Sequence, residues 1–201
     1  MTQTQPTTHW PWDHYLDWES RQPIRYELVD GEIYAMGGGT AAQDMISFNV
    51  RMALQRQLDG TGCRAHGSDL KIHTGTDAGR YPDVHVDCGK WTPGALTASN
   101  PVLVVEVLCK STENIDRSLK LRDYAATPSI RTYILLSQTE PMALVYARDE
   151  HGQFDPEKAQ PVQGLDAVIA MPDLSLSLSL ADTYHGIALE PDERIPEPRA
   201  V

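Results

Sequence analysis

The spacing of apolar and polar positions changes several times along the chain, and each change predicts an element. Trp12, Tyr15 and Leu16 fall at i, i+3 and i+4, which predicts a short helix within Trp10 to Arg21 that ends before Pro23, with Trp18 off its apolar face. Tyr26 to Val29 and Glu32 to Met36 flank Asp30-Gly31, a strong short-range signal for a two-residue hairpin. Gly37-Gly38-Gly39 breaks the chain. Thr40 to Leu58 then reads as an amphipathic helix, with Met45, Ile46, Val50, Met52, Ala53, Leu54 and Leu58 mostly on one side and Gly60 just past its end.

Short strands are expected near Cys63 to His66, Leu70 to His73 and Pro82 to Cys88. Pro101 to Leu108 is nearly all apolar and rich in β-branched residues, as a strand covered on both faces must be. A helix over Ile115 to Ala126, with Ser111 or Thr112 as N-cap, precedes strands at Arg131 to Ser137 and Met142 to Arg148. Leu174, Leu176, Leu178 and Leu180 alternate with serines and predict one two-faced strand. Strands mixed with helices imply an α/β (α+β) sheet flanked by helices. Residues 1–9 and the Pro- and acid-rich stretch 189–201 lack an apolar pattern and are expected to lie outside a single domain spanning 10–188.

Composition narrows the class. At 201 residues, with 41% hydrophobic and 22% charged positions, the chain suits one globular domain. No apolar run is long enough for a bilayer span, and residues 1–8 do not resemble a secretory leader, so no membrane role is expected. Three cysteines, Cys63, Cys88 and Cys109, are too few and too odd for a disulfide framework, which points to a cytoplasmic location. The net charge of −11 argues against binding nucleic acid by bulk electrostatics. The excess is uneven: residues 140–201 hold 12 acids and 4 bases, whereas 101–139 hold 4 acids and 5 bases.

One of the two candidate acids lies in that nearly neutral stretch. Glu106 sits in the middle of the most apolar segment, where an isolated carboxylate is costly and calls for a cation or strong donors. Asp83 opens another strand after Pro82. Two acids at neighbouring strand ends can converge on a hard divalent cation, which takes oxygen ligands and retains waters. Such an ion activates a water and offsets charge on a phosphoryl group, and a nearby lysine adds to that. Other signals are weaker. Gly37-Gly38-Gly39-Thr40 lacks the rest of a phosphate loop, His85 and Cys88 have no second pair at zinc spacing, and Cys109 has no evident base.

The ordered segments 26–36, 68–72, 81–86, 101–108, 111–112, 116–124 and 128–135 resemble the Uma-two (Uma2) family of restriction-endonuclease-like proteins, within the PD-(D/E)XK nuclease superfamily. The resemblance spans about residues 10–185. It implies a restriction-endonuclease-like mixed sheet with an N-terminal hairpin and extra C-terminal strands. It also implies a Mg²⁺- or Mn²⁺-dependent endonuclease acting on nucleic acid, DNA before RNA, and it is compatible with a homodimer. By the same resemblance Asp83 and Glu106 are metal ligands, Val107 offers its carbonyl, Glu32 is a further acid, and Lys120 is the catalytic lysine. Two positions depart from the pattern. Leu108 stands where the superfamily has lysine, leaving Lys120 or Lys110 for that role, and Gln43 stands where many relatives have histidine. These departures keep a second reading in view, a nuclease fold used as a binding module.

Overall fold

The computed structural model describes residues 9–108 and 116–189. Lys110, Cys109 and the predicted caps Ser111 and Thr112 lie outside them, as do most of the two expected terminal segments. In chain order the elements begin with α1 (Trp12–Glu19), β1 (Tyr26–Val29), β2 (Glu32–Ala35) and α2 (Ala41–Leu58). There follow β3 (Arg64–Gly67), β4 (Ile72–His73), β5 (Gly79–Arg80), β6 (Val84–Asp87) and β7 (Pro101–Val107). A π-helical turn, Asp116–Lys120, leads into α3 (Leu121–Ala125), then β8 (Thr132–Leu136) and β9 (Met142–Ala147). The chain continues with β10 (Gln160–Gln163), β11 (Val168–Met171), β12 (Leu176–Ser179) and α4 (Leu180–Thr183).

The hairpin forms where Asp30-Gly31 requires it. Both residues have positive φ, +50° and +79°, the conformation that matches the twist of the flanking strands. Its β1 also pairs with β5, giving a small sheet in the order β2-β1-β5-β4. The main sheet runs β10-β9-β8-β7-β6-β3 and is mixed: β7 and β8 are parallel, while the other neighbours are antiparallel. The parallel pair needs a crossover, and α3 lies on it.

Every residue of β7 is buried, as its unbroken apolar run demands. One face of the main sheet, through Val84, Val86, Leu103 and Val105, packs under Ile46, Val50, Leu54 and Leu58 of α2. The other face carries Val104, Tyr133 and Leu135 against Leu121 and Tyr124 of α3.

Three expectations need correction. The buried stripe of α2 repeats every fourth residue, so Met45 and Met52 fall on the opposite, exposed side together with Phe48. The serine–leucine run is not one strand. Ser175 adopts a left-handed conformation after the turn Pro172–Leu174, and Ser179 caps α4 by accepting from the Asp182 N–H. The resulting β11–β12 ribbon is tied to α2 by Gln57, whose side-chain amide donates to the Ser177 carbonyl and accepts from its N–H.

Third, Cys63 and Cys88 are joined in a disulfide. The register explains it: Arg64 pairs with Asp87, so the next residues outward on β3 and β6 face one another. The cysteine count therefore gives no argument for a reducing compartment. Closing a loop across 25 positions restricts the unfolded chain. Reduction, or the double substitution Cys63→Ser/Cys88→Ser, is expected to lower unfolding free energy by about 2–4 kcal/mol. Urea titrations with and without reductant check this, and the double variant should not respond to reductant.

Candidate active site

The β6–β7 ladder pairs Val84 with Val105, which sets Asp83 opposite Glu106 on one face. Each carboxylate reaches the other's backbone. The Val107 N–H donates to Asp83 Oδ2 at 2.7 Å, and the Asp83 N–H lies 3.4 Å from Glu106 Oε2. The second Asp83 oxygen, Oδ1, accepts from Gln43 Nε2 at 2.9 Å. Gln43 is placed by the N-terminus of α2, where Thr40 Oγ1 caps the helix by accepting from the Gln43 N–H. Thr40 Oγ1 also donates to Gln138, whose amide nitrogen donates to the Leu108 carbonyl at the end of β7.

Glu106 is 3% exposed, and its charge is met from the helix side. Lys120 Nζ lies 2.9 Å from Glu106 Oε1, and Tyr124 Oη donates to the same oxygen at 2.7 Å. Lys120 and Tyr124 are four residues apart, so one helical face presents both. Burial, and then the Glu106 charge, push the Tyr124 phenol well above its ordinary range, which keeps it a donor.

A buried ion network holds that helix in register. Arg80, 2% exposed, donates through Nε and Nη2 to Asp123 Oδ2 at 2.8 and 2.6 Å, and through Nη1 to Glu27 Oε2 at 2.9 Å. Glu27 also accepts from the Tyr81 N–H at 3.0 Å. The network thus ties the hairpin, the segment leading to Asp83 and α3 to one guanidinium. A second buried pair, Lys71 with Glu19 at 2.8 Å, adds a bond from Tyr81 Oη and anchors α1 to the same segment.

His85 lies on the same face of β6 as Asp83, opposite Val104 and stacked on His66 at 5.3 Å between ring centroids. It is fully buried, and neither ring nitrogen has a hydrogen-bond partner among the described residues. Burial pushes its imidazole down to about 3.

Of the residues singled out in the sequence, Asp83, Glu106, Lys120 and the Val107 backbone come together here. Glu32 stands on the separate hairpin sheet, exposed, and accepts from Tyr34 Oη at 2.7 Å. It shares a hairpin face with Glu27, because 27 pairs with 34 and 29 with 32. Leu108, two residues on from Glu106 and so on the same face, is buried among the apolar side chains under α3 and offers no charge to the acids. Sequence reasoning missed Arg80, Asp123 and Glu27 as a unit, since no spacing links them. The one available hint was an acid next to the lysine helix's tyrosine.

Comparison with known proteins bears on this arrangement. The family model "Uma2: Putative restriction endonuclease" matches residues 12–181. The "Uncharacterized protein slr1290" of Synechocystis sp. (strain ATCC 27184 / PCC 6803 / Kazusa) is 35% identical over 178 residues, covering 88% of this chain and 92% of that protein. A second protein of the same organism, "Uncharacterized protein sll1609", is 27% identical over 128 residues, covering 62% of this chain and 72% of that one. A crystal structure described as "a putative nuclease belonging to DUF820", from Anabaena variabilis ATCC 29413, superposes with a TM-score of 0.64 at 16% identity. It covers 86% of this chain and 96% of that one, and it establishes the fold.

Two outcomes follow from the buried charges. Arg80→Ala leaves Asp123 and Glu27 without their shared cation and is expected to cost about 3–5 kcal/mol in urea unfolding. Because the unfolded state protonates His85 near its ordinary 6.5 while the folded state does not, stability should fall as pH is lowered from 6.5. Thermal melts between that pH and about 5, above most carboxylate titrations, read the slope. His85→Phe should reduce it, the remainder coming from His66, whose imidazole burial also pushes down.

Proposed function

The chain belongs to the Uma2 family of restriction-endonuclease-like proteins, and from that premise we propose that it is a divalent-metal-dependent nuclease, with DNA ahead of RNA as substrate. The observation that carries this reading is the convergence of Asp83 and Glu106, each hydrogen-bonded to or abutting the other's strand backbone, with Lys120 against Glu106. Restriction-endonuclease-like proteins generally use divalent metals.

The donor set fits a hard cation. Among the described residues no group of three or more His, Cys, Asp or Glu side chains could hold a metal ion. Mg²⁺ and Mn²⁺ need no such cage, because one or two carboxylates suffice when waters and phosphate oxygens complete the shell. Asp83 and Glu106 would hold the ion. The Val107 N–H faces Asp83, and in an antiparallel ladder a residue's N–H and C=O face the same neighbour, so its carbonyl would join them. Bound there, the ion supplies Lewis-acid assistance to attack of water on a phosphodiester.

The chain's own residues supply the rest. Lys120 offsets negative charge at the reacting centre and gives a phosphate oxygen a donor. Gln43 orients Asp83 in place of the histidine common in relatives, and Tyr124 holds Glu106 so that one of its oxygens stays turned to Asp83. Glu32, on the hairpin face with Glu27, is assigned as an outlying acid of the site.

Cleavage of supercoiled and linear DNA, each with Mn²⁺ or Mg²⁺, tests the reading. Activity should require metal, vanish in Asp83→Ala and Glu106→Ala, and fall about a hundredfold or more in Lys120→Ala. Calorimetric titration should show Mn²⁺ binding that Asp83→Ala abolishes and Lys120→Ala retains. Failure of the wild-type chain to bind Mn²⁺ would favour a binding module on the same fold.

A further inference from the structure

α2 is amphipathic twice over. Its core stripe is Ile46, Val50, Leu54 and Leu58. On the opposite side Met45, Phe48 and Met52 are 45%, 58% and 40% exposed. A helix lying on a sheet needs one apolar stripe, and a second one turned to water marks a contact surface. With Ala41 these residues are spaced four, three and four apart, the alternation of a coiled-coil seam.

The charges beside the seam specify the occupant. At 3.6 residues per turn, positions seven apart lie almost in line. Asp44 and Arg51 therefore line one edge of the exposed face, Met45 and Met52 the other, with Phe48 between them. Asp44 and Arg51 are both exposed, and neither has an ion-pair partner among the described residues; Arg51 donates through Nε to the Ala65 carbonyl at 3.3 Å.

A second copy of α2 laid antiparallel, with the two-fold axis at Phe48, meets this face residue for residue. Phe48 then faces its own mate. Met45 faces Met52 at one edge, and Asp44 faces Arg51 at the other, each pair twice. A parallel two-fold would set the Asp44 and Arg51 edge against the partner's Met45 and Met52 edge and leave each charge facing a methionine, so the charges select the antiparallel arrangement. Opposed helix dipoles favour it too.

We propose that this outer face of α2 is a two-fold interface through which two copies of the chain associate. The assignment does not depend on the chemistry proposed for the acids of β6 and β7. Sedimentation equilibrium of the full-length chain should give twice the chain mass. Phe48→Glu, at an exposed position, should give the single-chain mass with an unchanged far-ultraviolet circular dichroism spectrum. Asp44→Arg alone, which sets two arginines together at each of the two charged contacts, should weaken association by about tenfold or more. Adding Arg51→Asp should restore affinity to within about threefold of wild type, because the swapped pair interacts directly. If Phe48→Glu fails to fold, the charge swap still decides. A single-chain mass for the wild type at every concentration overturns the proposal and leaves the stripe to a different partner. So does a dimer indifferent to Phe48→Glu, or a charge swap that does not restore association.

Discussion

A carboxylate in the middle of a fully buried strand is the constraint on which this structure turns. Glu106 cannot stay ionised inside β7 without donors, because transfer of a lone charge into a low-dielectric interior costs far more than a domain's net stability. Lys120 and Tyr124 meet it, and both come from one helical face. That requirement fixes where the crossover between β7 and β8 must bring its helix, and how that helix is rotated.

The rotation is held by charges as well. Asp123, next to Tyr124, is bound by Arg80, and Arg80 in turn binds Glu27 on the hairpin. The small sheet is therefore more than an appendage. Through Arg80 and the Glu27–Tyr81 bond it holds both the segment that carries Asp83 and the helix that carries Lys120. A buried guanidinium suits such a junction because its planar fork offers several donors in fixed directions. The cost is that loss of Arg80 leaves buried Asp123 with the half-exposed Arg122 alone and Glu27 with the Tyr81 N–H.

α2 connects the interior with the outside. Its first turn brings Gln43 to Asp83, its inner stripe covers the main sheet, and its side chains at Asn49 and Gln57 fasten the C-terminal ribbon and α4. The same helix carries the exposed methionine and phenylalanine stripe. A pairing of two such helices would be built on the element that positions one of the candidate ligands, which links assembly to the geometry of the acids.

Local rules account for what was legible in the sequence. Asp30-Gly31 determines its hairpin because few dipeptides accept two positive φ values, and the unbroken apolar run of β7 determines a central strand with an anomalous acid in it. Asp83, Glu106 and Lys120 could be named because the order of modest motifs resembles a family, and that family is the one the chain belongs to. Only the tertiary structure decided which side of α2 faces the core, that Cys63 meets Cys88, and that Arg80, Glu27 and Asp123 form one unit. The reason is physical. Periodicity reports which residues share a face of one element, whereas strand register and helix placement determine which faces meet, and those depend on packing of the whole chain.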